Sequence, residues 1–296
     1  MELSGVYVPL VTPFTPDGEV DTATLERLAR EVVADGAAGI VALGTTGEPA
    51  VLEDAERRAV LDVCAAVRRD TGTTMVVGAG GSGTWRSAAE LAALAAWPEV
   101  DAALVPVPAF VRPTEAGVVA HMAQLAARSP VPVIVYHVPH RTARPLGVAT
   151  LRELAALPGV VGMKNAVPAL DADTVTLLAD PPRGFAVLAG DVMAAPMLAL
   201  GAAGAIAASA HLCTGRWVAM VDAWRAGDAA RARELGAPLA PLAAALFAEP
   251  NPSVIKAVLH ATGRIPAPDV RLPLLPPDPA TVAAALHRIA LACGRE

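Results

Sequence analysis

Lysine is nearly missing from this chain. Among 23 basic residues in 296, only Lys164 and Lys256 are lysines; the rest are arginines. Tyrosine is as scarce, with Tyr7 and Tyr136 alone, and aromatic residues make up 3% of the chain. The three cysteines, Cys64, Cys213 and Cys293, are odd in number and far apart. Such spacing fits neither a disulfide framework nor a zinc ribbon, so buried thiols in a reducing cytosol are expected. There is no basic tract, and a net charge of −6 with a pI near 5.5 disfavours a nucleic-acid partner. The opening Met-Glu-Leu-Ser-Gly has neither a basic n-region nor a long apolar run, so no secretory signal is expected. Charge is also absent from Val192 to Gly215, but that stretch is built from Ala and Gly and holds Pro196. A buried helix followed by a buried strand is expected there rather than a membrane span, and the protein is read as soluble and cytoplasmic.

What is present is apolar. Hydrophobic residues reach 54% against 18% charged, which excludes disorder and supplies a large core. Short β-rich runs recur at Gly5–Pro9, Gly39–Leu43, Thr74–Ala79, Asp101–Val107, Val131–Tyr136, Val160–Lys164, Phe185–Ala189 and Ala203–Ala207. Between most of them lie stretches of helical period, such as Asp21–Asp35, Glu53–Asp70, Thr84–Ala96 and Thr114–Ala127. Near-continuous apolar strands alternating with helices predict parallel strands covered on both faces, and eight such units predict an α/β fold, a closed (β/α)8 TIM barrel. Past the eighth strand the pattern turns helical, at Gly215–Ala226, Ala229–Phe247, Ser253–Thr262 and Thr281–Ala292. The division expected is a barrel over residues 1–212 and a C-terminal helical appendage over 213–296.

The scarce residues then acquire a chemical reading. Arginine stays protonated and cannot serve as an amine nucleophile, whereas lysine can. Lys164 closes the run Val160–Met163, at the strand end where barrel enzymes keep their chemistry. The alternative is a salt-bridged or snorkelling lysine; for Lys256, in mid-helix, the structural reading is preferred. Tyr136 closes the preceding strand, so its phenol can meet the lysine amine across the mouth and pass protons while an imine forms and breaks. Gly44-Thr45-Thr46-Gly47-Glu48 offers close backbone approach, two hydroxyls and free amides to a carboxylate. Arg141 supplies a fork-shaped guanidinium near the same mouth. Gly78, Gly80 and Gly83 form a G-x-G-x-x-G, but in the third unit rather than the first, so a barrel loop is expected and no nicotinamide cofactor. His137 and His140 flank a proline without a completing cluster, and no metal is expected.

With these residues in place the chain resembles the dihydrodipicolinate synthase / N-acetylneuraminate lyase family of Schiff-base-forming enzymes. The likeness runs almost end to end, through Gly5–Phe14, Gly44–Glu48, Tyr136–Thr142, Gly162-Met-Lys164, Gly190-Asp191 and Glu249-Pro-Asn-Pro252. The last motif, with Arg271-Leu-Pro273 behind it, is more typical of the synthase branch. The resemblance implies a barrel with a helical C-terminal domain, assembled as a dimer or tetramer and using no cofactor. It implies that Lys164 forms an imine with pyruvate, that Tyr136 shuttles protons, and that Thr45 carries the relay hydroxyl. Thr46 would hold the pyruvate carboxylate, Gly190 and the backbone of Ile206 would line the site, and Arg141 would hold the carboxylate of L-aspartate 4-semialdehyde. Two positions depart from the family pattern. Phe110 stands where the synthases place a second relay tyrosine, and losing one member of such a relay can cost ~10²–10⁴-fold. The positions that bind feedback lysine in some synthases read Asp54, Arg57, Ser82, Arg86 and Ala109, so no inhibition by lysine is expected. Phe110 and His137 leave open an aldolase for another 2-keto acid, and Phe110 leaves open a catalytically silent keto-acid binder.

Overall fold

The computed structural model describes residues 3–293; Met1 and Glu2, part of the N-terminal reading above, lie outside the described residues. Eight strands form one closed parallel barrel in chain order. They are β1 (Gly5–Pro9), β2 (Gly39–Ala42), β3 (Thr74–Gly78), β4 (Ala102–Pro106), β5 (Val133–His137), β6 (Val160–Asn165), β7 (Ala186–Ala189) and β8 (Gly204–Ile206). β8 closes onto β1 through the pairs Gly5↔Gly204, Val6↔Ala205 and Tyr7↔Ile206. This is the (β/α)8 fold that the alternating runs predict. Alternate side chains divide between two cores, as strand pleating requires. Tyr7, Val41, Val76, Leu104, Ile134 and Ile206 fill the interior, while Val6, Val8, Ile40, Val77, Val135 and Val187 pack outward under the helices.

One irregularity sets up the site. Along β5 and β6, Val133 pairs with Val160 but Ile134 pairs with Gly162, so Val161 is passed over. The slip resets the parity of β6, because one extra residue exchanges the faces of everything after it. Met163 then joins the outer core, and Lys164 falls opposite Tyr136 on the inner face. Position 162 accepts only glycine, since a Cβ there would lie 2.6 Å from the Ala186 carbonyl oxygen.

The helices start where side chains cap them. Asp21, Thr114 and Asp171 accept the backbone N–H of Thr24, Gly117 and Thr174. Glu53 and Glu56 form a reciprocal capping box on helix Asp54–Thr71. After β8, helix Thr214–Arg225 packs against β1 with Trp217, Met220 and Val221 buried. The single helix expected over Ala229–Phe247 is two, Ala229–Gly236 and Leu239–Leu246. Pro238 lies at the break, where it has no N–H to donate and its ring collides with the preceding turn. Helices Ser253–Ala261 and Pro279–Cys293 complete the appendage. No helix among the described residues is long and apolar enough to cross a membrane.

The cysteine expectation fails for two of the three. Cys213 and Cys293 form a disulfide with their Cα atoms 5.7 Å apart, and only Cys64 is a buried free thiol. Their separation of 80 residues hid the pairing. Packing brings the start of helix Thr214–Arg225 to the end of the last helix, where Arg216 Nη1 also donates to the Ala292 carbonyl at 3.0 Å.

Candidate active site

The C-terminal ends of the strands open on a cavity of about 450 Å³ that Lys164, Tyr136, Thr45, Thr46, Arg141 and Gly190 all line. A second lobe of about 430 Å³ shares Thr45, Tyr136 and Arg141 with it and continues towards Arg57 and Glu90. Lys164 is 8% exposed. Its Nζ stands 4.9 Å from the centre of the Tyr136 ring, the residue it matches in register. Lys256, not Lys164, is the lysine paired with a carboxylate among the described residues. Gly190 closes the β6–β7 edge, its N–H donating to the Asn165 carbonyl at 3.1 Å.

The Gly44–Glu48 segment is a tight turn bounded by two residues of positive φ, Leu43 at 53° and Glu48 at 54°. It is held from three sides. Thr12 Oγ1 donates to the Gly47 carbonyl at 2.8 Å. Asn251 Nδ2 donates to Thr46 Oγ1 at 3.0 Å. Glu48 accepts Lys256 Nζ at 2.9 Å on one oxygen and the Arg271 N–H at 3.0 Å on the other. The Lys256–Glu48 pair is sealed, at 0% and 1% side-chain exposure, and Lys256 Nζ also lies 3.9 Å from the centre of the Phe14 ring. Burial pushes the Lys256 amine below its ordinary range, and the Glu48 carboxylate opposes that shift.

Other expected residues lie elsewhere. Phe110 is 95% exposed on a positive-φ loop after β4 and does not line either lobe of the mouth. Ile206 is fully buried in the interior layer beside Tyr7. His137 points outward and lines neither lobe of the cavity. Its Nδ1 is 2.9 Å from Asn165 Oδ1, and Asn165 Nδ2 donates to Thr174 Oγ1 at 3.0 Å. An amide oxygen only accepts, so Nδ1 carries the proton; burial pushes this imidazole below its ordinary range. His140 and Arg141 stand on the short turn Pro139–Thr142 at the rim. In the glycine loop, Gly80 N–H is taken by Glu90 and Gly81 N–H by Ser87 Oγ, at 2.9 Å each.

Sequence reasoning assigned no role to two residues of the mouth, Asp191 and Asn251. Asp191 Oδ1 accepts both the N–H and the hydroxyl of Ser209 at 2.7 Å. Asn251 lines both lobes from the C-terminal appendage. Their motifs, Gly190-Asp191 and Glu249–Pro252, were visible; that two distant segments converge on one mouth was not.

A closed (β/α)8 barrel with an amine facing a phenol at its C-terminal mouth defines a lyase-type enzyme of the aldolase class. More particularly, the chain belongs to the dihydrodipicolinate synthetase family, whose model matches residues 2–289. It is 36% identical over 275 residues to the 4-hydroxy-tetrahydrodipicolinate synthase of Methanothrix thermoacetophila, covering 92% of this chain and 91% of that one. The corresponding enzyme of Salinibacter ruber is 38% identical over 280 residues, covering 94% and 91%. Among solved structures, the synthase of Methylacidiphilum fumariolicum superposes with a TM-score of 0.93 at 27% identity, covering 99% of this chain and 98% of that one.

Proposed function

We propose that this protein condenses pyruvate with L-aspartate 4-semialdehyde through an imine on Lys164, as a 4-hydroxy-tetrahydrodipicolinate synthase. The observation that carries the reading is the register match of Lys164 with Tyr136 on the inner face of the barrel, its amine left without a carboxylate partner among the described residues. The amine adds to the ketone carbon of pyruvate, and loss of water leaves the imine. Tyr136, with Thr45 beside it in the cavity wall, carries the protons of that dehydration. Thr46 and its neighbouring amides hold the pyruvate carboxylate. Loss of a methyl proton gives an enamine whose carbon attacks the aldehyde, while Arg141 at the rim holds the second carboxylate. Gly190 completes the wall, whereas Ile206 lies in the interior layer and lines neither lobe. The imine is itself the electron sink, so the reading calls for no cofactor and no metal.

Chemistry stays within residues 1–212 in this reading, and 213–296 brace the mouth. Exposed Phe110, Val111 and Trp85 are the surface on which we place a homo-oligomer contact, in a dimer or tetramer. We place the enzyme in the cytoplasm; the Cys213–Cys293 disulfide is the feature that argues against a reducing compartment, and thiol titration of protein isolated under alkylating conditions decides it. Feedback by lysine is not expected, because the positions that bind it in some synthases read Asp54, Arg57, Ser82, Arg86 and Ala109 here. Incubation with pyruvate and borohydride should add a reduced pyruvyl group at Lys164, read by peptide mass; an unmodified Lys164 overturns the reading. An aldolase for another 2-keto acid keeps its support only from the relay tyrosine that Phe110 replaces, since neither Phe110 nor His137 lines the cavity. Near-background turnover with aspartate semialdehyde, beside good turnover with another aldehyde, selects it.

A further inference from the structure

The chain contains two asparagines, Asn165 and Asn251. Asn251 is 8% exposed, and its Oδ1 is buried without a hydrogen-bond partner. An unpaired buried acceptor is a cost that an apolar residue would avoid, so the amide calls for a reason. Its Nδ2 provides one, through the 3.0 Å bond to Thr46 Oγ1.

We infer that Asn251 is a positioning residue that fixes the polarity of the Thr46 hydroxyl for a keto-acid carboxylate; the inference rests on the proposed role of Thr46. A hydroxyl has one proton and two lone pairs, whereas an amide nitrogen only donates. With Asn251 donating, Thr46 Oγ1 must accept in that bond, and its own proton remains free to donate. Among the described residues Thr46 Oγ1 makes no other hydrogen bond, and Thr46 lines the cavity. A carboxylate only accepts, so it is the complement of such a hydroxyl. Amide, hydroxyl and carboxylate then form a chain of two hydrogen bonds that run the same way, each strengthening the other. The backbone of the turn does not depend on this bond, because Thr12, Lys256 and Arg271 hold Gly47 and Glu48 independently.

Charge type at position 251, rather than its size, is what the inference isolates. Asn251→Asp keeps the shape but offers only acceptors, so the Thr46 proton turns towards Asp and away from substrate. Asn251→Ala removes the donor and leaves the hydroxyl free to choose. A hydrogen bond to a charged group is worth roughly 10–100-fold in affinity, so the pyruvate KM should rise by about that factor in Asn251→Asp and by less in Asn251→Ala. The aldehyde KM and kcat should move far less. The Asn251→Asp defect should shrink as pH falls and the new carboxyl becomes protonated, because a protonated carboxyl can donate to Thr46 again. Asn251→Ala, which adds no charge to the cavity wall, should add nothing to Thr46→Val. The half-saturating pyruvate for borohydride trapping on Lys164 should follow the same order, with thermal melts reporting on folding. If Asn251→Asp does not fold, Asn251→Ala combined with Thr46→Val must still be non-additive. A wild-type pyruvate KM in folded Asn251→Asp, a defect that ignores pH, or additive losses would overturn the inference. Failure of the unaltered enzyme to be trapped by pyruvate sinks the imine reading instead, so the two failures are told apart.

Discussion

The two lysines of this chain are both buried, and their surroundings are opposite. Lys256 lies on helix Ser253–Ala261 with a carboxylate at 2.9 Å and an aromatic face at 3.9 Å. It fastens the appendage to the turn that carries Thr45 and Thr46. Lys164 lies at the end of β6 with a phenol ring 4.9 Å away and, among the described residues, no acid to engage it. Burial therefore does not mark a functional lysine; what distinguishes the two is the partner. A paired ammonium is committed to its carboxylate, whereas an unpaired amine at the edge of a cavity is free to react. Placing the same substitution at both positions tests this directly. Lys164→Met should lower turnover by at least ~10⁴-fold, as expected for loss of a nucleophile that a whole mechanism depends on. Its stability should change by less than about 1.5 kcal/mol, because methionine fills a similar volume and no partner charge is stranded. A large loss of stability, with turnover spared, would make Lys164 a structural residue.

Lys256→Met should do the reverse. It leaves Glu48 charged, 1% exposed and short of its counter-ion. Breaking a buried pair from one side costs about 3–5 kcal/mol, which urea unfolding will read. Adding Glu48→Gln should recover a large part of that loss, since the amide keeps an acceptor for the Arg271 N–H and carries no charge. If Lys256→Met costs less than about 1 kcal/mol, the turn is held by Thr12 and Arg271 alone, and the contrast between the lysines loses its structural half.

Much of this contrast was legible in the sequence. Scarcity singled out Lys164 and Tyr136, and the β-runs put both at adjacent strand ends; the barrel followed from eight such runs. Local patterns did not reveal the slip at Val161, which alone turns Lys164 inward. Nor did they reveal which distant groups meet. Glu48 and Lys256 are 208 residues apart and Thr46 and Asn251 are 205 apart, and the disulfide spans 80. Periodicity reports which face of an element is buried and says nothing of the partner across the interface. His137 illustrates the same limit, since neighbouring Tyr136 in sequence put it on the opposite face of the strand.

A third buried base sharpens the comparison. His211, at the end of the turn Ala208–His211 after β8, is fully buried, and its Nε2 accepts the Val11 N–H at 3.1 Å. Nε2 must therefore be unprotonated, and unlike Lys256 the ring has no carboxylate partner among the described residues to stabilise a charge. Full burial, reinforced by nearby Arg264, pushes its pKa down to about 3. An unfolded histidine titrates near 6.5, so between those values the unfolded chain binds the extra proton and acid favours unfolding. The contribution of this ring is whole above pH 6.5 and falls steadily as pH drops towards 3. At pH 4.5 the loss should be about 2–3 kcal/mol, at ~1.4 kcal/mol per pH unit. Glu56 acts at the acid end of that window: its ion pair with Arg271 holds its carboxyl below the usual range, so its contribution is whole above the unfolded carboxyl value of about 4.3 and is lost only as pH falls further. His121, His137 and His140 are also pushed down by burial and leave a residual slope. Unfolding in urea at pH 7 and pH 4.5 should therefore show a shallower acid loss in His211→Gln than in the unaltered chain. Equal losses in the two proteins would mean that His211 reaches water or an acid in the native state, and that an unpartnered base here needs no neutrality to stay buried.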